Sequence, residues 1–182
     1  MAYQFKANDG MALLLKHPEA ADIPRLYEAA DISRVELAPW MDWCHADFCI
    51  ADAEKWVLEQ TAQANVHAFI IIDEQTGLCL GTCGLHDISR GHRYADLGYW
   101  VRTSHLGRGI APAAARKVAE IAFYELELVR LEIVVDLRNL KSQRVAEKVG
   151  AKREGVIRNG LVHSGIPKDA VLFSLIPSDF AD

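Results

Sequence analysis

The sequence predicts a single α/β domain in which helices flank one mixed, mostly antiparallel β-sheet. Its 182 residues suit one domain, and 51% of them are apolar, which is ordinary for a globular chain. Segments with strand and helix periodicity follow each other in the order β-α-α-β-β-β-α-β-α-β-β. Two of the apolar runs are joined by the short polar stretch "DEQTG". This pattern indicates a hairpin, so the sheet is not of the doubly wound parallel kind.

The first half of the chain predicts a strand, two helices and an aromatic loop between them. The apolar run Met11–His17 indicates the strand. Pro18 begins a helix that continues to about Ala30, because proline is compatible with a first helical turn. Asp52 caps the second helix, which is predicted over 53–65. The residues of that helix expected to face inward are Trp56, Val57 and Leu58.

The second half predicts a sheet with two more helices. The hairpin comes first, and the run "VRLEIVVDL" indicates a central strand because it is continuously apolar. Gly150 ends the second of these helices. In order, the elements are a hairpin over 67–88, a strand over 94–102, a helix over 110–126, a strand over 129–137, a helix over 139–149 and strands over 151–160 and 169–176.

Composition argues against several classes of function. The net charge is −5, which does not favour nucleic acid as the main partner. No apolar run approaches the ~18 residues of a membrane span, and no targeting peptide is recognisable. The cysteines are too few and too irregularly spaced for a disulfide scaffold or a zinc site, so we expect no metal and a cytoplasmic setting. They are Cys44, Cys49, Cys79 and Cys83.

A glycine pair marks the junction between a strand and a helix, in the stretch Gly107-Arg108-Gly109-Ile110-Ala111. A helix N-terminus presents unpaired N–H groups and a partial positive charge, and glycine lets a phosphate approach them. A tight turn that needs glycine only for its geometry is the alternative. Pro112 excludes the dinucleotide-binding fingerprint, and the Lys-Ser/Thr ending of a P-loop is missing.

The region from Leu97 to Gly155 resembles the GNAT superfamily of acyl-CoA N-acyltransferases, in particular its RimJ/RimL-like branch of ribosomal-protein N-terminal acetyltransferases. The stretches "LGYWV", "GRGIA" and "NLKSQRVAEKVGAKREG" carry the resemblance. It implies the GNAT fold and acetyl-CoA as co-substrate. Leu106 departs from the family's phosphate loop, which usually has Gln or Arg there. This removes a polar side chain but no backbone donor.

The resemblance also implies where acetyl-CoA binds. The pantetheine arm of acetyl-CoA would lie in a gap beside the strand that carries Tyr99, Trp100 and Val101. The phosphates of acetyl-CoA would lie on the loop from Leu106 to Ala111. Asn139 matches an asparagine that contacts the pantetheine amide. Taken alone, Asn139 would be interpreted as a helix cap, and the two roles can coexist.

The proton-transfer groups are less clear from the sequence. Many GNAT enzymes protonate the leaving thiolate with a tyrosine at the position that Ala146 occupies here. The RimL-like branch offers a serine instead, which makes Ser142 the candidate acid, with a solvated helical serine as the alternative. The glutamate credited as a base in that branch is missing from "RNGLVHSG". The possible bases, among which the sequence does not choose, are His86, Asp87, Asp96 and His163.

The aromatic loop over 36–49 is expected to wall the acceptor cleft. Trp40 and Trp43 would form an apolar wall, and an acidic rim would attract a cationic amine. The alternative is that the tryptophans seal a core and the acids face water. The residues of the expected rim are Glu36, Asp42 and Asp47.

Together these features predict an enzyme that transfers acetyl directly from acetyl-CoA to a primary amine. A protein N-terminus, possibly of a ribosomal protein, is the expected acceptor. The alternatives are a small-molecule amine, such as a polyamine or an amino sugar, and a catalytically silent CoA-binding module. The chain is expected to act as a monomer or homodimer.

Overall fold

A computed structural model describes residues 2–180, which form one eight-stranded sheet with helices on both faces. The strands are β1 (Ala2–Lys6), β2 (Ala12–Lys16), β3 (His67–Asp73), β4 (Cys79–Ser89), β5 (Tyr94–Val101), β6 (Arg130–Asp136), β7 (Lys152–His163) and β8 (Ile166–Leu175). The helices are α1 (Ile23–Asp31), α2 (Arg34–Leu37), α3 (Ile50–Ala62), α4 (Ile110–Tyr124) and α5 (Leu140–Val149).

The sheet order is β1-β2-β3-β4-β5-β6-β8-β7. Every neighbouring pair is antiparallel except β5 and β6, which run parallel because α4 connects them. A parallel pair needs such a crossover, whereas the antiparallel pairs can be joined by short turns. The predicted fold class, a mixed and mostly antiparallel sheet flanked by helices, is confirmed.

Alternation along the strands divides the core into two layers. On one face, α4 and α5 pack against residues such as Leu97 and Leu131. On the other face, α1 and α3 pack against Ile70 and Trp100. Because successive strand residues point to opposite faces, Tyr99 faces the layer of α4 and α5, while Gly98 and Trp100 face the layer of α1 and α3.

The N-terminal part of the chain differs from the prediction. The sequence did not predict β1, which pairs with β2 at the edge of the sheet. The first α-helix begins at Ile23 rather than at Pro18, and Pro24 is the proline in its first turn. Ala20–Asp22 forms a separate turn of 3₁₀-helix before it. The predicted loop over 36–49 begins within α2.

The helix α3, which corresponds to the second helix predicted from the sequence, is capped differently from the prediction. Its N-cap is Cys49, and Asp52 lies in the first turn, where its carboxylate accepts a hydrogen bond of 2.8 Å from the Cys49 amide. This is a reciprocal capping box, in which a side chain reaches back to the N-cap residue. Val57 is buried as predicted, but Leu58 is 60% exposed and faces outward. The final strands are also longer than predicted and form a hairpin that turns at 164–165.

An ion pair between a buried arginine and a half-exposed glutamate fastens α1 to the end of β5. The guanidinium of Arg102 donates two hydrogen bonds of 2.6 Å to the carboxylate of Glu28, and the Arg102 side chain is only 11% exposed. The Ser33 hydroxyl accepts a bond of 3.0 Å from the amide of Thr103. Arginine holds the pKa of Glu28 below its usual range. These contacts fix the segment that leads into the glycine turn.

We expect Glu28→Ala to lower the free energy of unfolding by about 2 kcal/mol, because Arg102 would stay buried without its charged partner. Urea denaturation monitored by circular dichroism measures the change. The matched control is Glu120→Ala, which removes an ion pair on α4 whose cation, Lys117, is 30% exposed and so remains solvated without its partner. That variant should change stability by less than about 1 kcal/mol. Equal losses in the two variants would contradict the anchoring role of Glu28.

Candidate active site

The parallel strands β5 and β6 separate partway along their length. They pair from Tyr94 opposite Arg130 to Asp96 opposite Glu132, and the register ends there. Beyond that point β5 continues to Val101 and β6 continues to Asp136. The inner edges of both strands therefore carry backbone groups that a ligand lying between them can reach.

A cleft of about 610 Å³ occupies this separation. Its lining includes Gly98 and Trp100, which face the layer of α1 and α3, and also Tyr99 and Ser142, which belong to the opposite side. Since residues from both faces border the same space, the cleft passes through the sheet. Two substrates can thus meet in the gap from opposite faces.

On the α5 side of the cleft, two hydroxyl groups lie together. The Ser142 hydroxyl lies 3.3 Å from the Tyr99 hydroxyl and donates to it, and the Tyr99 hydroxyl donates a bond of 3.1 Å to the Ser142 carbonyl. Burial raises the pKa of Tyr99 to about 12, so its hydroxyl keeps its proton at neutral pH. Asn139 caps α5, because its side-chain oxygen accepts a 3.1 Å bond from the Ser142 amide.

On the opposite side, His86 is the candidate base that lines the cleft. Its ring packs over Gly98, where an added Cβ would lie 3.5 Å from the ring carbon Cδ2. Burial lowers the pKa of His86, with a smaller opposing effect of Asp87. The imidazole is therefore neutral at pH 7 and able to accept a proton.

The glycine turn has the backbone that only glycine adopts readily. Gly107 and Gly109 both have φ of +80°, and Gly109 is the N-cap residue of α4. A Cβ at Gly109 would lie 2.8 Å from side-chain atoms of Asn8, whereas one at Gly107 would meet open space. Arg108 is held by Asp9 through a 2.7 Å ion pair. The turn between β1 and β2 thus supports this loop.

The remaining predicted cofactor contacts lie around this turn rather than in the cleft. Leu106 is 45% exposed, Ile110 is buried under the first turn of α4, and Ala111 packs partly against the core. Val101 is 8% exposed and belongs to the core on the α4 side. Of the predicted strand residues, Tyr99 and Trp100 line the cleft.

The acceptor-side residues are only partly where the sequence placed them. Trp40 and Trp43 line the cleft. Of the expected acidic rim, Glu36 accepts a hydrogen bond from Thr103, and Asp42 pairs with His163 at 2.8 Å beside a smaller adjoining cleft. The carboxylates that do line the main cleft were not predicted. They are Asp52, Glu59 and Asp136.

The other candidate bases are less well placed than His86. Asp87 is exposed and has a positive φ of 49°. Asp96 lies opposite His86 across the strand pair, and burial, together with the neighbouring charges of Glu132 and Asp87, raises its pKa. His163 borders the smaller cleft, where it is paired with Asp42.

Within residues 2–180, the part of the chain that the structure describes, no group of three His, Cys, Asp or Glu side chains is placed to share a metal ion. None of the helices there has the length and apolar character needed to cross a membrane.

Comparison with known proteins agrees with this geometry. The family described as "Acetyltransferase (GNAT) domain" matches residues 12–152. "Putative ribosomal N-acetyltransferase YdaF" of Bacillus subtilis (strain 168) is 31% identical over 180 residues, which cover 96% of each chain. Among solved structures, Mycobacterium smegmatis RimJ in complex with CoA-disulfide superposes with a TM-score of 0.89 at 23% identity, covering 100% of this chain and 89% of that one.

A further neighbour is spermidine N-acetyltransferase from Vibrio cholerae, in complex with CoA and spermine. It superposes with a TM-score of 0.78 at 19% identity and covers 93% of this chain and 98% of that one. At such identities the two structural likenesses concern the fold alone.

The fold and the split between two parallel strands define the class of acyl-CoA-dependent N-acyltransferases. The chain belongs to the GNAT acetyltransferase family. It is accordingly an acetyl-CoA N-acetyltransferase of the GNAT type. Its relatives include proteins named as ribosomal N-acetyltransferases.

Proposed function

We propose that this enzyme transfers acetyl from acetyl-CoA directly to the α-amino group of a protein N-terminus. The observation that carries the proposal is the pairing of two proton-transfer groups across one cleft. A neutral imidazole, His86, borders it on the α1 and α3 side, and two hydroxyl groups border it on the α5 side.

The residues around the cleft suit acetyl-CoA. The helix N-terminus at Gly109 offers backbone N–H groups and a partial positive charge to the pyrophosphate. The separated edges of β5 and β6 offer backbone groups to the pantetheine amides and the thioester carbonyl. Asn139 remains the proposed pantetheine contact besides capping α5.

Two protons must move during the transfer. The amine nitrogen forms a bond to the thioester carbonyl carbon, and the bond from that carbon to sulfur breaks. The amine loses a proton, which we assign to His86. The departing thiolate gains one through the Ser142 hydroxyl, which takes a replacement proton from solvent, and His86 releases its proton to solvent before the next turnover. A thiol has a pKa of about 8.5, so the thiolate needs only modest help. Tyr99 holds the Ser142 hydroxyl at the cleft.

The neutral His86 favours an α-amine over a lysine or a polyamine. An α-ammonium has a pKa near 8 and an alkyl ammonium one near 10.4, while His86 lies below the ordinary histidine value of about 6.5. Even an ordinary histidine would make this proton transfer uphill by about 2 kcal/mol from an α-ammonium and by about 5 kcal/mol from a lysine, and the lowered pKa of His86 increases both costs.

The assay for this proposal is the release of CoA thiol driven by an added amine. We expect turnover with peptides that have a free N-terminus and little with the same peptides blocked at that position. Ser142→Ala should lower kcat about 10-fold to 100-fold, at or below the low end for acid catalysis, because thiolate leaves readily. The affinity for CoA should barely change, since the glycine turn and Asn139 remain.

Tyr99→Phe identifies which hydroxyl acts. It should reduce kcat less than Ser142→Ala, because only the positioning of the serine is affected. Unchanged turnover in Ser142→Ala would leave water as the proton source. No amine-driven thiol release by the wild type, with either peptides or small amines, would instead support a silent CoA-binding module.

A further inference from the structure

All four tryptophans of the chain line the same cleft. They come from three separate segments: Trp40 and Trp43 follow α2, Trp56 lies on α3, and Trp100 lies on β5. Only Trp40 and Trp43 were expected on the acceptor side from the sequence. Their convergence concentrates the largest apolar side chains where an acceptor would approach the gap.

The aromatic rings form a connected but open surface. The centroid of the Trp43 ring lies 5.7 Å from that of Trp100 and 5.5 Å from that of Phe48. Trp100 is 8% exposed, yet Trp43 is 37% exposed although it packs against both rings. The surface therefore has a buried floor and an accessible edge, as a binding surface for an apolar group requires.

Two of the three carboxylates of the cleft are already hydrogen-bonded within the protein. Asp136 binds Arg138 through Nε and Nη2 at 3.0 and 2.8 Å, and Asp52 accepts the Cys49 amide. Glu59 lies 3.8 Å from Lys55 on α3. A polyamine would need several carboxylates for its charges, whereas Asp52 and Asp136 already have partners within the protein. The apolar surface is the larger recognition element.

We propose that the acceptor carries a large apolar or aromatic group next to its amine, as an N-terminus that begins with leucine, methionine or phenylalanine does. The side chain of that first residue packs on Trp43 and Trp56, with Trp100 beneath, while its amine lies toward His86 and the gap. This inference rests on the proposed function and specifies the class of its substrate.

A matched series of peptides tests the preference. The peptides differ only in their first residue, which is serine, alanine, leucine or phenylalanine, and spermidine and phenethylamine serve as small amines. We expect kcat/KM for the leucine and phenylalanine peptides to exceed that for the serine peptide by at least about 10-fold. Phenethylamine should likewise be preferred to spermidine.

Variants locate this preference in the cleft. Trp43→Ala and Trp56→Ala should raise KM for the phenylalanine peptide and leave KM for acetyl-CoA unchanged. In these variants kcat/KM should no longer depend on the first residue of the peptide. Tyr124→Ala is the control, because Tyr124 is 66% exposed at the end of α4 and does not line the cleft. It should retain the full preference.

Intrinsic fluorescence gives a second measurement that needs no turnover. Because all four tryptophans line the cleft, the phenylalanine peptide should shift the emission of the wild-type protein, and the serine peptide should do so much less. Equal kcat/KM across the peptide series would overturn this inference while leaving acetyl transfer to a protein N-terminus intact, whereas a preference for spermidine over every peptide would overturn both. Absence of thiol release with every amine would instead refute the proposed function.

Discussion

Gly109→Val is expected to weaken binding of CoA by at least about 100-fold. Lost backbone hydrogen bonds to a charged phosphate cost about 1.5–3 kcal/mol each, and a β-branched residue at φ of +80° distorts the N–H groups that make them. The new side chain would also press on Asn8, whose atoms lie 2.8 Å from the position of its Cβ. Isothermal titration calorimetry with CoA measures the loss.

Gly107→Val separates backbone strain from the contact with Asn8. Gly107 has the same φ of +80°, but its Cβ would meet no atom within 4 Å. We expect a smaller loss of affinity there, and almost none in Leu106→Ala, which keeps its backbone donor. A Gly109→Val protein that melts as the wild type does and binds CoA with unchanged affinity would remove the glycine turn from the binding site.

The close approach of Gly109 to Asn8 could not be predicted from the sequence. The strand β1 reads "AYQFK" and alternates only between exposed and partly exposed residues, so its pattern is too short and weak to predict a strand. Asp9 and Arg108 form an ion pair although 99 positions separate them in the chain. Nothing local in either segment indicates that pairing, which arises only when β1 and β2 bring their turn to the start of α4.

Elements with strong local signals were predicted well. The hairpin of β3 and β4, the central strand β6 and the helix ended by Gly150 follow from runs of apolar residues and turn residues. The cap of α3 was wrong because aspartate is also favourable inside the first turn, where it can bond back to the N-cap amide. Sequence alone does not distinguish these two positions.

Within the candidate site, local spacing in the sequence accounts for some of the arrangement and long-range packing for the rest. Ser142 and Asn139 share one short helix, so their proximity follows from helical spacing. The choice of His86 depends on the pairing of β4 with β5, which sets its ring over Gly98, and on the burial that keeps it neutral. Trp56 and Trp100 join the cleft only through the packing of α3 on the sheet.

His86→Gln carries the other large expected effect and tests the proposed base. Glutamine retains much of the size and polarity of the ring but does not accept a proton near neutral pH. We expect kcat/KM for a peptide to fall about 100-fold at pH 7, the lower end for general base catalysis. Asp96→Asn is the control, because Asp96 is the cross-strand neighbour of His86 and should contribute little.

The pH dependence gives the sharper result. Burial lowers the pKa of His86, and the base works only when neutral, so wild-type kcat/KM should lose its His86-dependent part only below the ordinary histidine value of about 6.5. His86→Gln can react only with amine that is already neutral in solution. Its kcat/KM should therefore rise with pH up to about 8, the pKa of an α-amine. The ratio of wild-type kcat/KM to that of His86→Gln should therefore fall as pH increases. A ratio that is constant from pH 6 to 9 would indicate a structural role for His86. A loss of kcat/KM in Asp96→Asn as large as that expected for His86→Gln would make the Asp96 carboxylate the base.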